Sequence, residues 1–241
     1  MNKLIKTVLA GTIATVSVLP AAQALEAGDM IVRFGAITVA PNADGSDPSL
    51  GTINLQDAGL ANGISVDDDT QFGFSSTYMF SSHWGLEVLA ATPFDHEIKV
   101  SGGALDNHKI GSTKHLPPTV SLQYYFMGAT NSQWQPYAGL GVNYTNFFDT
   151  NVDNNFAATI DTITQDGTTD GDLDIDDPWG MAGQIGLDYY LSENWLVNVS
   201  AMYTHINADA SIDFNGTSSS QLDVNTDIDP WVYRINVGYK F

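Results

Sequence analysis

Eight stretches of this chain alternate apolar and non-apolar residues with a period of two. That periodicity constrains the fold more than any other feature, because successive side chains of a strand point to opposite faces. The last stretch, DPWVYRINVGYKF, is the clearest. Trp231, Tyr233, Ile235, Val237, Tyr239 and Phe241 share one face, and Val232, Arg234, Asn236, Gly238 and Lys240 share the other. The same rule reads strands around Met30 to Ala36, Phe72 to Phe80, Trp84 to Phe94, Thr119 to Phe126, Trp134 to Tyr144, Trp179 to Tyr190 and Trp195 to Tyr203. In the third of these, Trp84, Leu86, Val88, Ala90 and Phe94 are expected on one face.

The connections alternate in length. Short ones are Ser81 to His83, Gly128 to Gln133 and Ser192 to Asn194. Long ones run from Pro41 to Asp69, Asp95 to Pro117, Thr145 to Asp177 and Asn207 to Asp229. An even number of antiparallel strands with short turns at one end and long loops at the other is the layout of a transmembrane β-barrel of the bacterial outer membrane. The expected fold is therefore all-β, an eight-stranded antiparallel transmembrane β-barrel. Short turns and both termini lie on the periplasmic side, and the long loops are extracellular.

A soluble barrel would point its apolar face inward. An eight-stranded lumen has room only for side chains that fill it. The five tryptophans and most of the other aromatics would overfill it, whereas the opposite face is rich in glycine. Tryptophans and tyrosines also cluster at strand ends, as in the aromatic girdles of membrane interfaces. The apolar face is thus read as facing lipid.

The first 24 residues fit this destination. Lys3 and Lys6 precede an apolar run from Thr7 to Leu19, which ends in Ala22-Gln23-Ala24. That is the pattern of a secretory signal peptide, and the run is too short for a spanning helix. Residues 1–24 are read as the signal and 25–241 as the barrel. Loss of Lys3 and Lys6 leaves 6 basic against 28 acidic residues, a net charge of −22, which argues against nucleic acid as a partner. The chain has no cysteine, so a closed sheet must supply what disulfides otherwise would.

With the apolar face outside, the lumen residues follow by parity. Arg33, Glu87, Asp188 and Arg234 become lumen charges, which must pair when buried. They read either as a structural ion-pair network or as the polar floor of a ligand pocket. Leu89, Met202, Met79, Leu196 and Tyr125 are inward exceptions to the polar pattern. They are either ordinary lumen packing or the lining of a hydrophobic constriction.

Twelve residues from Asp166 to Asp177 carry six aspartates, and no Lys or Arg occurs between Lys114 and Arg234. Asp170, Asp172, Asp174 and Asp176 are weak calcium candidates. The EF-hand pattern is not met, and a solvated, self-repelling loop is the preferred reading. The five histidines show no metal or catalytic spacing, and no nucleophile elbow occurs. No cofactor and no enzymatic activity are expected.

Several stretches carry a resemblance: EVLAATPF, KHLPPT, QYYF, PYAGLGVNYTNFF, DPWG, GLDYYL and DPWVYRINVGYKF. In letters, order and spacing they resemble the outer-membrane protein W (OmpW) family along the whole mature chain, apart from the acidic stretch. The resemblance implies a narrow, largely hydrophobic channel opening to the outside, passage of small hydrophobic molecules, and sideways release into the membrane. Related members assist alkane uptake, and others are linked to stress or colicin reception. In the family a leucine and a tryptophan narrow the channel. Leu89 matches the first, and Met202 stands where the tryptophan would be.

The leading expectation is a passive channel for small hydrophobic solutes, with outer-membrane lipid and lipopolysaccharide around it. The second is a non-transporting surface barrel whose acidic loops meet divalent cations, lipopolysaccharide, phage or bacteriocins. The terminal Phe241 is read as the aromatic signal that barrel assembly machinery recognises.

Overall fold

A computed structural model of the chain describes residues 23–44, 48–51, 53–165, 167–216 and 221–241. Most of the expected signal peptide, and Asp166 of the acidic stretch, lie outside the described residues.

Eight antiparallel strands close into one barrel. They are β1 (Met30–Ala40), β2 (Asp69–Met79), β3 (Trp84–Ala91), β4 (Thr119–Tyr125), β5 (Trp134–Tyr144), β6 (Trp179–Tyr190), β7 (Trp195–His205) and β8 (Trp231–Lys240). Neighbours in sequence pair, and β8 closes on β1 with Phe34 opposite Val237. Closure leaves no strand edge without a partner, which a bilayer requires.

The parity expected from the sequence is the parity observed. Along β8, residues 231, 233, 235 and 237 are exposed, whereas 232, 234, 236, 238 and 240 are buried. Leu140, Ile185 and Ile235 stand outward, at 73 %, 65 % and 70 % exposure. So large a continuous apolar surface is foreign to a water-soluble monomer and suited to lipid. Aromatic pairs mark both ends of this band. Trp84–Tyr124 and Trp195–Tyr239 lie at the short-turn end, and Tyr144–Trp179 and Tyr203–Trp231 at the other, with ring centroids 4.9–5.4 Å apart.

The long connections are not loops. Above the barrel the wall divides into two sheets. One orders strands Asn146–Val152, Lys109–Leu116, Phe94–Ser101 and Gly63–Val66. The other orders Gly171–Ile175, Asn207–Phe214, Gln221–Ile228, Ser49–Leu50 and Ile53–Asn54, with Ala43–Asp44 beside Gln221–Ile228. Helix α1 (Asn154–Thr164) caps them; Asp153 accepts from the Asn155 N–H at its start, and Phe156, Ala157 and Ile160 face inward. Phe156, Ile160, Ile64, Val100, Ile212, Phe214 and Leu222 belong to one extracellular core.

Prolines mark the change from barrel to cap. Pro93, Pro118, Pro178 and Pro230 stand just outside strand ends and have no N–H to give to a ladder. Pro93 has a further effect. The chain breaks at Thr92-Pro93 and re-enters a strand at Phe94, so parity resets there. Phe94 is consequently buried, against the outward placement expected from the run of β3.

Part of the acidic stretch forms a strand. Gly171–Ile175 pairs with Asn207–Phe214 and turns Leu173 into the core, leaving Asp172 and Asp174 exposed. A strand therefore replaces the solvated loop expected there, because the alternation Asp-Leu-Asp matches a half-buried sheet position.

Candidate functional site: an apolar cavity above a buried charge network

Four layers fill the lumen from periplasm to exterior. The lowest is apolar and aromatic: Leu25, Ile31, Met79, Tyr125, Tyr137, Tyr190 and Leu196 pack together. Leu25 enters from below, its N–H bonded to the Gly128 carbonyl at 2.7 Å. The segment that opens the expected mature chain thus helps close the periplasmic end.

The second layer is the charge network. Arg33 donates from Nε to Asp188 at 3.0 Å, from Nη1 to Thr77 at 2.8 Å and from Nη2 to the Tyr125 hydroxyl at 2.7 Å; Nη2 also meets the second Asp188 oxygen. Arg234 donates to Ser200 at 2.7 Å, to Glu87 at 3.2 Å and to Gln184 at 2.5 Å. Gln184 returns a bond to Glu87 at 2.9 Å, and Asn198 donates to Asp188 at 2.7 Å. Gln123 accepts from Thr77 and Tyr125, and Tyr137 accepts from Asn198. Every barrel strand contributes a side chain. The two cations and two carboxylates are each at most 2 % exposed, so their charges cancel inside the wall. Sequence parity had placed all four inward, and the structure brings them together.

The third layer is an apolar collar of Ile37, Val39, Leu89, Phe94, Ala182, Met202 and Val232. Leu89 and Met202 both belong to this layer. Met79, Leu196 and Tyr125 do not join them, because they sit on the other side of the charges. The five inward exceptions therefore form two separate layers. Parity gives a residue's face but not its height, and the two were indistinguishable by that rule.

The fourth layer is a cavity resting on the collar, with about 800 Å³ of free space, its open mouth included. Its base includes Val39, Val232 and Pro230, and its walls include Ile64, Ile98 and Phe147 from one sheet, Ile175 and Ile228 from the other, and Ile206 from the link between β7 and Asn207–Phe214. The polar wall residues are few. Asn143 is occupied: its amide donates to the Pro117 carbonyl at 3.1 Å and to Thr119 at 2.9 Å, and its oxygen accepts from Thr145 at 2.7 Å.

Two histidines complete the wall. His96 and His115 stack at 4.9 Å, with their Nε2 atoms 2.9 Å apart. Phe94 stacks on His115 at 5.3 Å, and Phe147 lies 5.5 Å away. Burial, with the neighbouring His96 adding to it, pushes the His115 imidazole down to about 3, so it is neutral at ordinary pH. The sequence reading missed this pair. Its signal was the hairpin register, which sets Phe94 opposite His115 and His96 opposite Thr113.

No ladder joins strands Asn146–Val152 and Gly171–Ile175, so the wall has a seam there. Asp177 staples its base, accepting from the Phe147 N–H at 2.8 Å, from Asn146 at 2.7 Å and from the Tyr144 hydroxyl at 3.1 Å. The Phe147 N–H above all holds the Asp177 carboxyl below its ordinary range.

The acidic face lies apart from the cavity. Asp172 stands directly opposite Asp213, and Asp174, Asp176 and Asp223 border one cleft. Among the described residues no three His, Asp or Glu side chains converge as a metal-holding group, so the weak candidates Asp170, Asp172, Asp174 and Asp176 do not assemble one.

A closed eight-stranded wall, a lipid-matched outer band and a plugged lumen with an apolar cavity at its outer end define an outer-membrane β-barrel protein. The OmpW family model matches residues 26–241, and the chain belongs to that family. It is 43 % identical to Outer membrane protein W of Vibrio cholerae over 217 residues, covering 89 % of each chain. It is 38 % identical to Outer membrane protein W of Escherichia coli K12, covering 90 % of each. The crystal structure of OprG from Pseudomonas aeruginosa superposes with a TM-score of 0.77 at 43 % identity, covering 91 % of this chain and 99 % of that one.

Proposed function

We propose that this barrel admits small hydrophobic molecules passively from outside the cell, through the apolar cavity, and releases them sideways into the membrane. The observation that carries the reading is the order of the layers. An apolar cavity lies on the outer side of an apolar collar that forms its base, and a net-neutral but densely bonded charge layer lies beneath. An apolar solute gains by leaving water for the cavity. It would have to displace paired charges to continue to the periplasm, which is far more costly. The remaining route is lateral. Phe147 and Ile175 line both the cavity and the seam above the Tyr144–Trp179 pair, where the wall meets the outer interface. A more distant relative supports the solute class: it is 24 % identical over 72 % of this chain and is named Dibenzothiophene metabolism operon protein PahQ, of Pseudomonas aeruginosa.

The test is uptake of a radiolabelled medium-chain hydrocarbon by cells lacking their own barrel of this class. Expression of this chain should accelerate uptake, and identical rates with and without it would refute the reading.

We also infer that residues 1–24 direct export and that Phe241 serves assembly. Phe241 is 69 % exposed, packs edge-on to Tyr239 at 4.7 Å, and gives its N–H to the Met30 carbonyl at 2.9 Å. Its side chain adds nothing to the lumen, so its apolar ring is free for recognition. Phe241→Ser should leave in vitro folding intact and reduce the amount of barrel in outer-membrane fractions several-fold. Full recovery of the variant in that fraction would contradict the assembly role.

A further inference from the structure

We propose that His96 and His115 form an acid-sensitive latch in the cavity wall: while both rings are neutral they hold their cap sheet closed, and uptake of one proton releases that sheet and what the cavity holds. The release of contents rests on the reading of the cavity as a solute site. The latch does not.

The hydrogen count carries the proposal. His96 Nδ1 lies 2.6 Å from the Asp67 carbonyl oxygen, which can only accept, so Nδ1 carries a hydrogen. The two Nε2 atoms are 2.9 Å apart and share one hydrogen between them. A third hydrogen has one place left, His115 Nδ1, whichever ring donates across the gap. That atom is buried and has no acceptor in reach. The closed pair therefore has no site for another proton, and a cation formed there must break the contact to reach water.

The surroundings offer the cation little. His96 and His115 are 2 % and 7 % exposed. Asp69 is the nearby carboxylate, and it is already bound by the Thr70 N–H at 2.7 Å and by the Asp95 N–H and Gln71 at 2.8 Å. The Asp67 carboxylate is engaged by Lys99, and Asp149 by Lys114. The barrel brings Asn143 and Thr145, strand Asn146–Val152 brings Phe147, and the other cap sheet brings Ile175, Ala208 and Ala210, all uncharged.

The sheet is also built to move. Among the described residues it shares no ladder with the barrel or with the other cap sheet. The hairpin that carries both rings, Phe94–Ser101 with Lys109–Leu116, stands on Pro93 at one foot and on Pro117 and Pro118 at the other. The sign follows from the lowered His115 value. Open, the ring titrates near its ordinary 6.5; closed, near 3. The closed state is thus fully favoured above pH 6.5 and loses about tenfold per pH unit as pH falls toward 3.

The experiment uses the full barrel in lipid nanodiscs between pH 7.5 and 5.0, where carboxylates stay ionised. Hydrogen exchange of the hairpin amides, divided by the unstructured rate at each pH, gives the opening constant. It should rise about thirtyfold over this range in the native chain and less than threefold in His115→Phe, which keeps an aromatic ring beside Phe94 and Phe147 and takes no proton. Spectra of ¹⁵N-labelled histidine in the native chain decide the matter even where the variant does not fold. A flat native opening constant, or a His115 that gains its proton near pH 6.5 with the hairpin still protected, overturns the latch. Binding of 1-fluorooctane, followed by ¹⁹F NMR, should weaken as the hairpin opens. Undiminished binding at pH 5.0 overturns the release. No binding at either pH overturns the solute reading and leaves the latch standing.

Discussion

Replacing Arg33 by alanine destabilises the folded barrel by about 3–5 kcal/mol, read as a large fall in the urea midpoint of the refolded protein. The loss comes from what remains. Asp188 is fully buried and takes two of its hydrogen bonds from Arg33, with Asn198 supplying another. Glu87 keeps Arg234 at 3.2 Å and Gln184 at 2.9 Å, so the damage centres on Asp188. The control is a double change, Arg33→Met with Asp188→Leu, which removes both charges at similar volume. It should recover more than half of the loss, because a buried ion pair is worth little over a packed apolar pair. A double variant as unstable as the single one would show that the network acts through its geometry and not through the stranded charge.

Replacing Leu89 by aspartate lowers hydrophobic-solute uptake by about tenfold or more while the barrel still migrates as a folded species on unheated gels. Leu89 is 5 % exposed and belongs to the collar with Val39, Met202 and Val232. Both lumen arginines are already engaged by Asp188, Glu87 and Gln184, so a carboxylate at 89 gains no ready partner and holds water in the collar. A solute that loses about 50 Å² of apolar contact there loses about 1.3 kcal/mol, about a factor of ten. Unchanged uptake in a folded variant would remove the collar from the route.

The barrel was legible because a membrane imposes one rule on every strand: apolar outward, everything else inward. Trp231 to Tyr239, Trp179 to Tyr189 and Trp195 to Tyr203 keep their outward faces free of charge, while Val232, Ala182, Leu196 and Met202 turn inward as apolar exceptions. The same rule placed Arg33, Glu87, Asp188 and Arg234 in the lumen. It could not place them in height, because tilted strands are staggered against one another. Met79 and Leu89 therefore read alike while lying on opposite sides of the charges.

The cap was harder to read. There both sheets have water on one side and a small core on the other, and Lys99, Lys109 and Lys114 interrupt the alternation. Pro93 moves the parity by one, which hid Phe94 and with it His96 and His115. Helix α1 left a usable trace in Asp153, Phe156, Ile160 and Ile163, a cap followed by apolar residues at helical spacing. The sequence reading took Thr145 to Asp177 as a long loop and did not use that trace. Leu25 gave none, since its burial depends on the Gly128 carbonyl, far away in sequence.

On the proposed function, the cavity above the collar receives small hydrophobic molecules. Crystals of the barrel grown with a bromoalkane, measured at the bromine absorption edge, test it most directly. An anomalous peak is expected inside the cavity, between Phe147, His115 and Val232. Bromine peaks confined to the outer lipid-facing band, with none in the cavity at saturating bromoalkane, would contradict it.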